Sequence, residues 1–236
     1  MGGGAGGGSM GGGSGGGSTG GGSGGGSTGG GAGGGSTGGG GGAPRFDAGT
    51  VVRPDGGTLT PPTVVLTFAN DCGAVSNCAG NEVDAWAYAT GCIDNSAFSR
   101  VTQAAMSAGC TATVTNKNGA ISGSALFDGT AVHRAVVGQV NFTLTAGPPC
   151  NTACSFIPGQ LAQYGITGTC AVVGTNCVCD LTFDIGQSGS QNYTYTLGQL
   201  TTTSPAETYD SCINGTVMRY RETTDGGIPG VFSLSK

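Results

Sequence analysis

Ten cysteines constrain this chain more than any other feature: Cys72, Cys78, Cys92, Cys110, Cys150, Cys154, Cys170, Cys177, Cys179 and Cys212. An even number of thiols in a chain so poor in charge reads as a disulfide framework, and so as a domain that folds in an oxidising compartment. Structural zinc is the competing use. It asks for paired Cys-x2–4-Cys or His-x3–5-His ligands. Here only Cys150 and Cys154 have that spacing, Cys177 and Cys179 are closer than usual, and His133 is the single histidine. Disulfides are therefore the expectation, with no metal and no cofactor.

All ten lie behind a segment of a different kind. Residues 1–42 hold 29 of the 52 glycines, and the other 13 positions are only Ser, Thr, Ala and Met. Such a segment has nothing to bury and cannot offset the entropy lost on ordering. It reads as a disordered tether, leaving residues 43–236 as one β domain of a size suited to a sandwich or barrel. The 13 acidic and 8 basic residues give a net charge of −5, and only Lys117 and Lys236 are lysines. That balance argues against a nucleic-acid surface, which needs clustered Lys and Arg. No apolar run is long enough to span a membrane. Met1 is followed directly by glycine, with no basic or apolar leader. The expectation is an upstream export segment ending in a lipid-bearing cysteine. The domain would then be extracellular or in the cell envelope, touching a membrane only through that anchor.

Short runs of β-branched residues alternate with turn residues through the domain, which predicts all-β structure. Val64, Leu66 and Phe68 share one face of a first strand, and Trp86 sits in a second over residues 83–90. Asp94-Asn95-Ser96 offers helix-capping oxygens, Phe98, Val101 and Ala105 recur at helical spacing, and Gly109 stands where a helix ends. This predicts one short helix. Residues 110–115 and 120–127 flank Asn118-Gly119, a hairpin cue. Asp128-Gly129 turns the chain into residues 130–137, and Gly138 reads as a bulge before Val140, Phe142 and Leu144. Residues 150–165 read as irregular, with a helical turn at 160–164. The last third reads as a meander over 166–172, 177–185, 193–199 and 216–222. Such a meander would be a strongly twisted sheet or an antiparallel barrel, and closure into a barrel removes exposed edges.

Three segments carry a resemblance: Cys170-Ala-Val-Val-Gly-Thr-Asn-Cys177-Val-Cys179, residues 191–201 from Gln191 through Tyr193, Tyr195, Leu197 and Gly198 to Thr201, and Cys212-Ile-Asn-Gly215-Thr-Val-Met218. Together they resemble the C-terminal half of uncharacterised lipocalin-like domains of cysteine-rich bacterial surface lipoproteins. The resemblance covers roughly residues 145–222. It implies a lipocalin-like antiparallel barrel, export and disulfides, but no reaction. The Gly-x-Trp of classical lipocalins is absent, since Asp84-Ala85 precede Trp86.

Candidate chemistry is sparse. His133 is the only imidazole available to a hydrolytic triad, and Ser124 is the serine one predicted strand away, without a Gly-x-Ser-x-Gly elbow. Glu82 with Asp84, and Asp180 with Glu222, are the carboxylate pairs a secreted hydrolase would use. Asp71, Asp94, Asp128 and Asp225 lie in or near turns suited to calcium, but no Asp-x-Asp-x-Asp-Gly loop occurs. Asn141, Asn192 and Asn214 head Asn-x-Ser/Thr sequons. A barrel of about eight strands is either filled by side chains or holds one small apolar ligand. Val64, Leu66, Phe68, Phe142, Leu144, Leu181, Phe183 and Tyr195 are equally the residues of a closed core. The reading is a non-enzymatic surface module, structural or binding.

One disulfide follows from geometry. If Gly174-Thr175 is a two-residue hairpin turn closed by Val173 and Asn176, Cys170 opposes Cys179 at a non-hydrogen-bonded position, with Cα atoms about 4.5 Å apart. Cys177 then shares a face with Cys179 and reaches for another strand, Cys212 being the candidate. Cys150–Cys154, Cys72–Cys78 and Cys92–Cys110 are the remaining expected pairs.

Overall fold

The computed structural model describes residues 51–53, 56–107, 109–224 and 227–236. The expected tether and Asp225 lie outside the described residues.

Antiparallel pairing dominates. The strands are β1 (Val51–Val52), β2 (Thr58–Leu59), β3 (Thr63–Val65), β4 (Thr67–Ala69), β5 (Asp84–Asp94), β6 (Ala112–Phe127), β7 (Ala131–Ala146), β8 (Ile166–Val173), β9 (Asn176–Asp184), β10 (Gln187–Thr196), β11 (Gln199–Thr202), β12 (Thr208–Asn214), β13 (Val217–Glu222) and β14 (Gly230–Ser235). Helices α1 (Ser99–Ser107) and α2 (Ile157–Ala162) follow 3-10 turns at Asn95–Phe98 and Cys150–Phe156.

From β5 the pairing runs through β14, β13, β12, β11, β10 and β7 to β6, and β6 pairs back to β5. Eight strands thus form a closed ring in which each neighbour is antiparallel, so none of these strands lies at the end of the sheet. The ring is built on the long β6–β7 hairpin, whose 16-residue strands outreach it. Their far ends continue as an open sheet with β3 outside β6, and β9 then β8 outside β7.

The open sheet and the ring share one more strand. β7 pairs Gln139 with Asp184 on β9, and three residues back it pairs Val136 with Gln187, three residues on, in β10. The register is unbroken, and the Ile185 amide donates to the Gly138 carbonyl at 2.9 Å between them. β9 and β10 are therefore two halves of one strand. Gly138 is not the expected bulge; its missing Cβ leaves room for the Ile185 side chain, which would lie 2.5 Å away.

Alternation decides what fills each part. Even positions of β7 face inward, so Val132, Val136, Val140, Phe142 and Leu144 are buried while His133 and Gln139 are exposed. In the ring they meet Trp86, Phe127, Tyr193, Leu200, Tyr209, Met218, Phe232 and Leu234. On the open sheet Phe142 and Leu144 are covered by Phe98 and Val101 of the α1 region and by Leu161 of α2, with Phe98 edge-on to Phe142 at 5.0 Å. Burying each such side chain stabilises the fold by about 1.5–3 kcal/mol.

The predicted helix is present, and its end is the expected one: Gly109 has φ +81, its amide donates to the Met106 carbonyl, and the Cys110 amide to that of Ala105. Its start differs. Asp94 makes no capping bond, because its carboxylate is used elsewhere. A second helix, α2, stands where only a turn was expected. The Asn118-Gly119 hairpin is a further correction. β6 runs straight through it, and the register slips by one residue between Thr115 and Asn118, with Asn116 at φ 52. This is a β-bulge. Gly119 serves close approach: a Cβ there would sit 2.7 Å from the Gln139 carbonyl. Residues 187–191 of the expected 186–191 loop belong to β10, and β11, β12 and β14 were not foreseen.

The disulfides are Cys72–Cys92, Cys78–Cys212, Cys110–Cys150, Cys154–Cys177 and Cys170–Cys179. Only Cys170–Cys179 has its expected partner, with the predicted register and Cα atoms 4.0 Å apart. The other four expected pairings, Cys177–Cys212, Cys150–Cys154, Cys72–Cys78 and Cys92–Cys110, are corrected, because the tertiary structure brings different cysteines together. β4 lies parallel to β5, with Thr67 opposite Cys92, and beyond β4 the Cys72 amide donates to Asp94 Oδ1, which holds Cys72 at Cys92 rather than Cys78. Cys78 instead bridges to Cys212, its amide bonding the Ser211 carbonyl. Ala112 pairs with Ala146, so Cys110 before β6 meets Cys150 after β7. The following 3-10 turn lays Cys154 on Cys177 at the head of β9, which leaves none for the expected Cys150–Cys154 loop.

Gly123 offers a test of this hairpin. It pairs with Val136 at φ +132, and a Cβ would fall 2.2 Å from the Ala135 carbonyl oxygen. Gly123→Ala is expected to destabilise the domain by more than about 1 kcal/mol, since both the conformation and the space are incompatible with a side chain. Urea denaturation checks it.

Candidate functional site

Two polar clusters stand on opposite faces of β7. Outside the ring, the turn after β6 is fixed by Asp128. Its Oδ1 accepts hydrogen bonds from the Ala131 amide at 2.6 Å, the Thr130 amide at 2.8 Å and the Thr130 hydroxyl at 2.9 Å. Its Oδ2 lies 3.1 Å from Nε2 of His133, the outward residue at the start of β7. The other ring nitrogen, Nδ1, lies 2.6 Å from Oγ of Ser190, which faces His133 across the β7–β10 pair. The bonds from the Ala131 and Thr130 amides, then those from His133 and the Thr130 hydroxyl, hold the Asp128 carboxyl well below its usual range. The His133 and Asp128 side chains are each 43% exposed.

The sequence named His133 and Asp128, but not together, and the serine it set near His133 was Ser124. Ser124 is buried, at 1% exposure. Ser190 went unnoticed because residues 186–191 read as a loop, and only the register of β10 against β7 places it beside the imidazole.

Inside the ring, Arg134 follows the inward alternation between Val132 and Val136. Its Nη1 donates to Gln187 Oε1 at 2.6 Å, Glu207 Oε2 at 3.1 Å and the Tyr209 hydroxyl at 3.1 Å, and the guanidinium lies 5.0 Å from the Tyr209 ring centroid. The Tyr209 hydroxyl also bonds Glu207. Beyond it the Tyr88 and Tyr220 hydroxyls share a hydrogen bond, and burial pushes both phenols above their ordinary range. The cavity here measures about 40 Å³. That is room for a few waters, far below the several hundred Å³ of a small-molecule pocket. Side chains fill most of this part of the ring.

Glu222, near the same end, has its carboxyl raised, by burial first and by the charge of Glu207 second. A carboxyl raised by folding lowers stability once the pH exceeds its unfolded value, because the native state then binds the extra proton. Glu222→Gln is therefore expected to raise the urea midpoint near neutral pH. The gain should vanish well below the ordinary carboxyl range, where both states are protonated. An equal gain at both pH values would contradict this.

The remaining candidate acids do not converge. The Glu82 carboxylate accepts from the Tyr193 hydroxyl, whereas Asp84 pairs with Lys236 at 3.2 Å. Asp180 on β9 and Glu222 on β13 belong to strands that do not pair. Asp94, 2% exposed, is bound by Arg221 at 2.8 Å, and Asp71 stands 4.0 Å from the same guanidinium. Arg221 thus stands beside two of the four acids considered for calcium. Cys170, Cys177 and Cys179 bring their sulfurs within 4.8 Å of one another, yet each is in a disulfide and none offers a thiolate. Of the sequons, Asn192 and Asn214 are exposed, while the Asn141 amide bonds Asn118 and Thr182.

Among the described residues no helix is long and apolar enough to cross a membrane. Compared with protein-family models, curated proteins and solved structures, the chain matches none.

Proposed function

We propose that this chain is an exported, disulfide-stapled β module that acts as a structural or binding element at the cell surface. In this reading the glycine-rich residues 1–42 are the tether, and a lipid-bearing cysteine upstream of them is the anchor. The observation that carries the proposal is that all ten cysteines are paired, in five disulfides whose partners stand between 9 and 134 residues apart. Such a framework belongs to an oxidising compartment. The consecutive antiparallel pairing of β10 through β14 supports the lipocalin-like reading of residues 191–201 and 212–218. The small interior cavity favours a module that works through its outer surface over one that encloses an apolar ligand.

The test is production in two compartments of one bacterial host. Export to an oxidising periplasm is expected to yield folded protein without free thiols, and retention in a reducing cytoplasm to yield unfolded or aggregated chain. A folded cytoplasmic product carrying reduced cysteines, or stoichiometric zinc, would overturn the proposal.

A further inference from the structure

We propose that Ser190, His133 and Asp128 form a serine-nucleophile centre on the outside of the ring, which takes an acyl group from an ester. This goes beyond the module reading and stands on separate observations. The parts are in the order that nucleophilic catalysis requires: a hydroxyl in contact with an imidazole, and the imidazole in contact with a carboxylate. The Ser190 hydroxyl and His133 Nδ1 are 2.6 Å apart, and His133 Nε2 and Asp128 Oδ2 are 3.1 Å apart.

Roles follow from the charge on Asp128. An ionised carboxylate only accepts, so the Nε2 proton is donated to Asp128, and the Nδ1 lone pair faces Ser190. The orienting acid is itself held fast, because its second oxygen takes three hydrogen bonds from the β6–β7 turn. The imidazole is thus fixed at both nitrogens, on a strand rather than on a loose loop.

In the step, Ser190 Oγ attacks the ester carbonyl carbon while its proton passes to Nδ1. The C–O bond to the alcohol then breaks, and Nδ1 returns the proton to the departing alkoxide. Water repeats the sequence on the acyl-serine, releasing the acid.

A donor for the oxyanion lies in the strand itself. The Ile185 amide donates to Gly138 of β7 and the Tyr193 amide to Thr130 just before it, so by alternation the amide of Ser190 points away from β7. On that side β10 pairs with β11 only from Tyr193 to Thr196, so no β11 residue covers Ser190. The amide of the nucleophile therefore has no partner on β11 and can donate to a developing oxyanion. Ser190 is exposed, so the alcohol of the ester can be bulky and remain in solvent. The substrate class is an acyl ester with a solvent-borne leaving group.

The experiment uses the intact, disulfide-bonded protein with a fluorophosphonate probe and with p-nitrophenyl acetate. One equivalent of phosphonyl label is expected on Ser190, located by peptide mapping, together with an acylation burst. Ser190→Ala should abolish both, and His133→Gln should slow labelling by about 100-fold or more, the usual share of a general base. Circular dichroism melts of the variants separate loss of chemistry from loss of fold. His133→Arg serves as a second variant if His133→Gln is unfolded. Label scattered over other hydroxyls, unchanged in Ser190→Ala, or unchanged in a folded His133 variant would overturn the proposal. So would no labelling of the wild type. None of these results bears on export, so the module reading stands or falls separately.

Discussion

Replacing Cys78 and Cys212 together by alanine is expected to cost the domain about 4–5 kcal/mol of unfolding free energy, more than any other single disulfide. These two are 134 residues apart, whereas Cys170 and Cys179 are separated by 9. The entropy that a cross-link removes from the unfolded chain grows with the loop it closes. An open loop of the longer length gives about 5 kcal/mol, nearer 4 once the other four bridges shorten it, against about 2.5 for the hairpin disulfide. The Cys78 bridge also has local support: its amide bonds the Ser211 carbonyl, and the Tyr195 hydroxyl bonds the Cys78 carbonyl. Without it, the segment between β4 and β5 loses its covalent hold on β12. Guanidinium unfolding of the two double variants provides the comparison. Equal losses from the two pairs would show that loop closure does not set the ranking.

Arg134→Met should destabilise the domain by about 3 kcal/mol or more, and adding Glu207→Gln should restore much of that loss. Arg134 and Glu207 are only 11% and 13% exposed, so removing the cation leaves a carboxylate shut away from water without its partner. Gln187 and Tyr209 lose a donor in the same change. A methionine fills the volume of the arginine stem, and a neutral amide in place of the Glu207 carboxylate no longer needs the charge. The double variant is thus expected to be more stable than Arg134→Met alone. A double-mutant cycle in urea measures the coupling. If the double variant is as unstable as the sum of the two single ones, the pair does not act as a unit.

These two cases show where the sequence runs out. Residues near one another along the chain were legible: the α1 region with Gly109 at its end, the Asp128-Gly129 turn, and the β8–β9 hairpin that sets Cys170 against Cys179. Each rests on local conformational preference or on the two-residue count of a single hairpin. The all-β class, the inward alternation of Val140, Phe142 and Leu144, and the disulfide use of all the cysteines follow from composition and periodicity.

What joins distant segments was decided only by the tertiary structure. A β-strand offers the same backbone donors and acceptors to any partner, so its sequence does not state which strand it meets or in what register. That is why Cys72 was assigned to Cys78 rather than Cys92, and why Asn118-Gly119 read as a turn although β7 pairs straight across it. It is also why the serine beside His133 was sought at Ser124. The continuous register of β7 against β9 and β10 carries residues 187–191 into the sheet, and with them Ser190 to its place beside the imidazole.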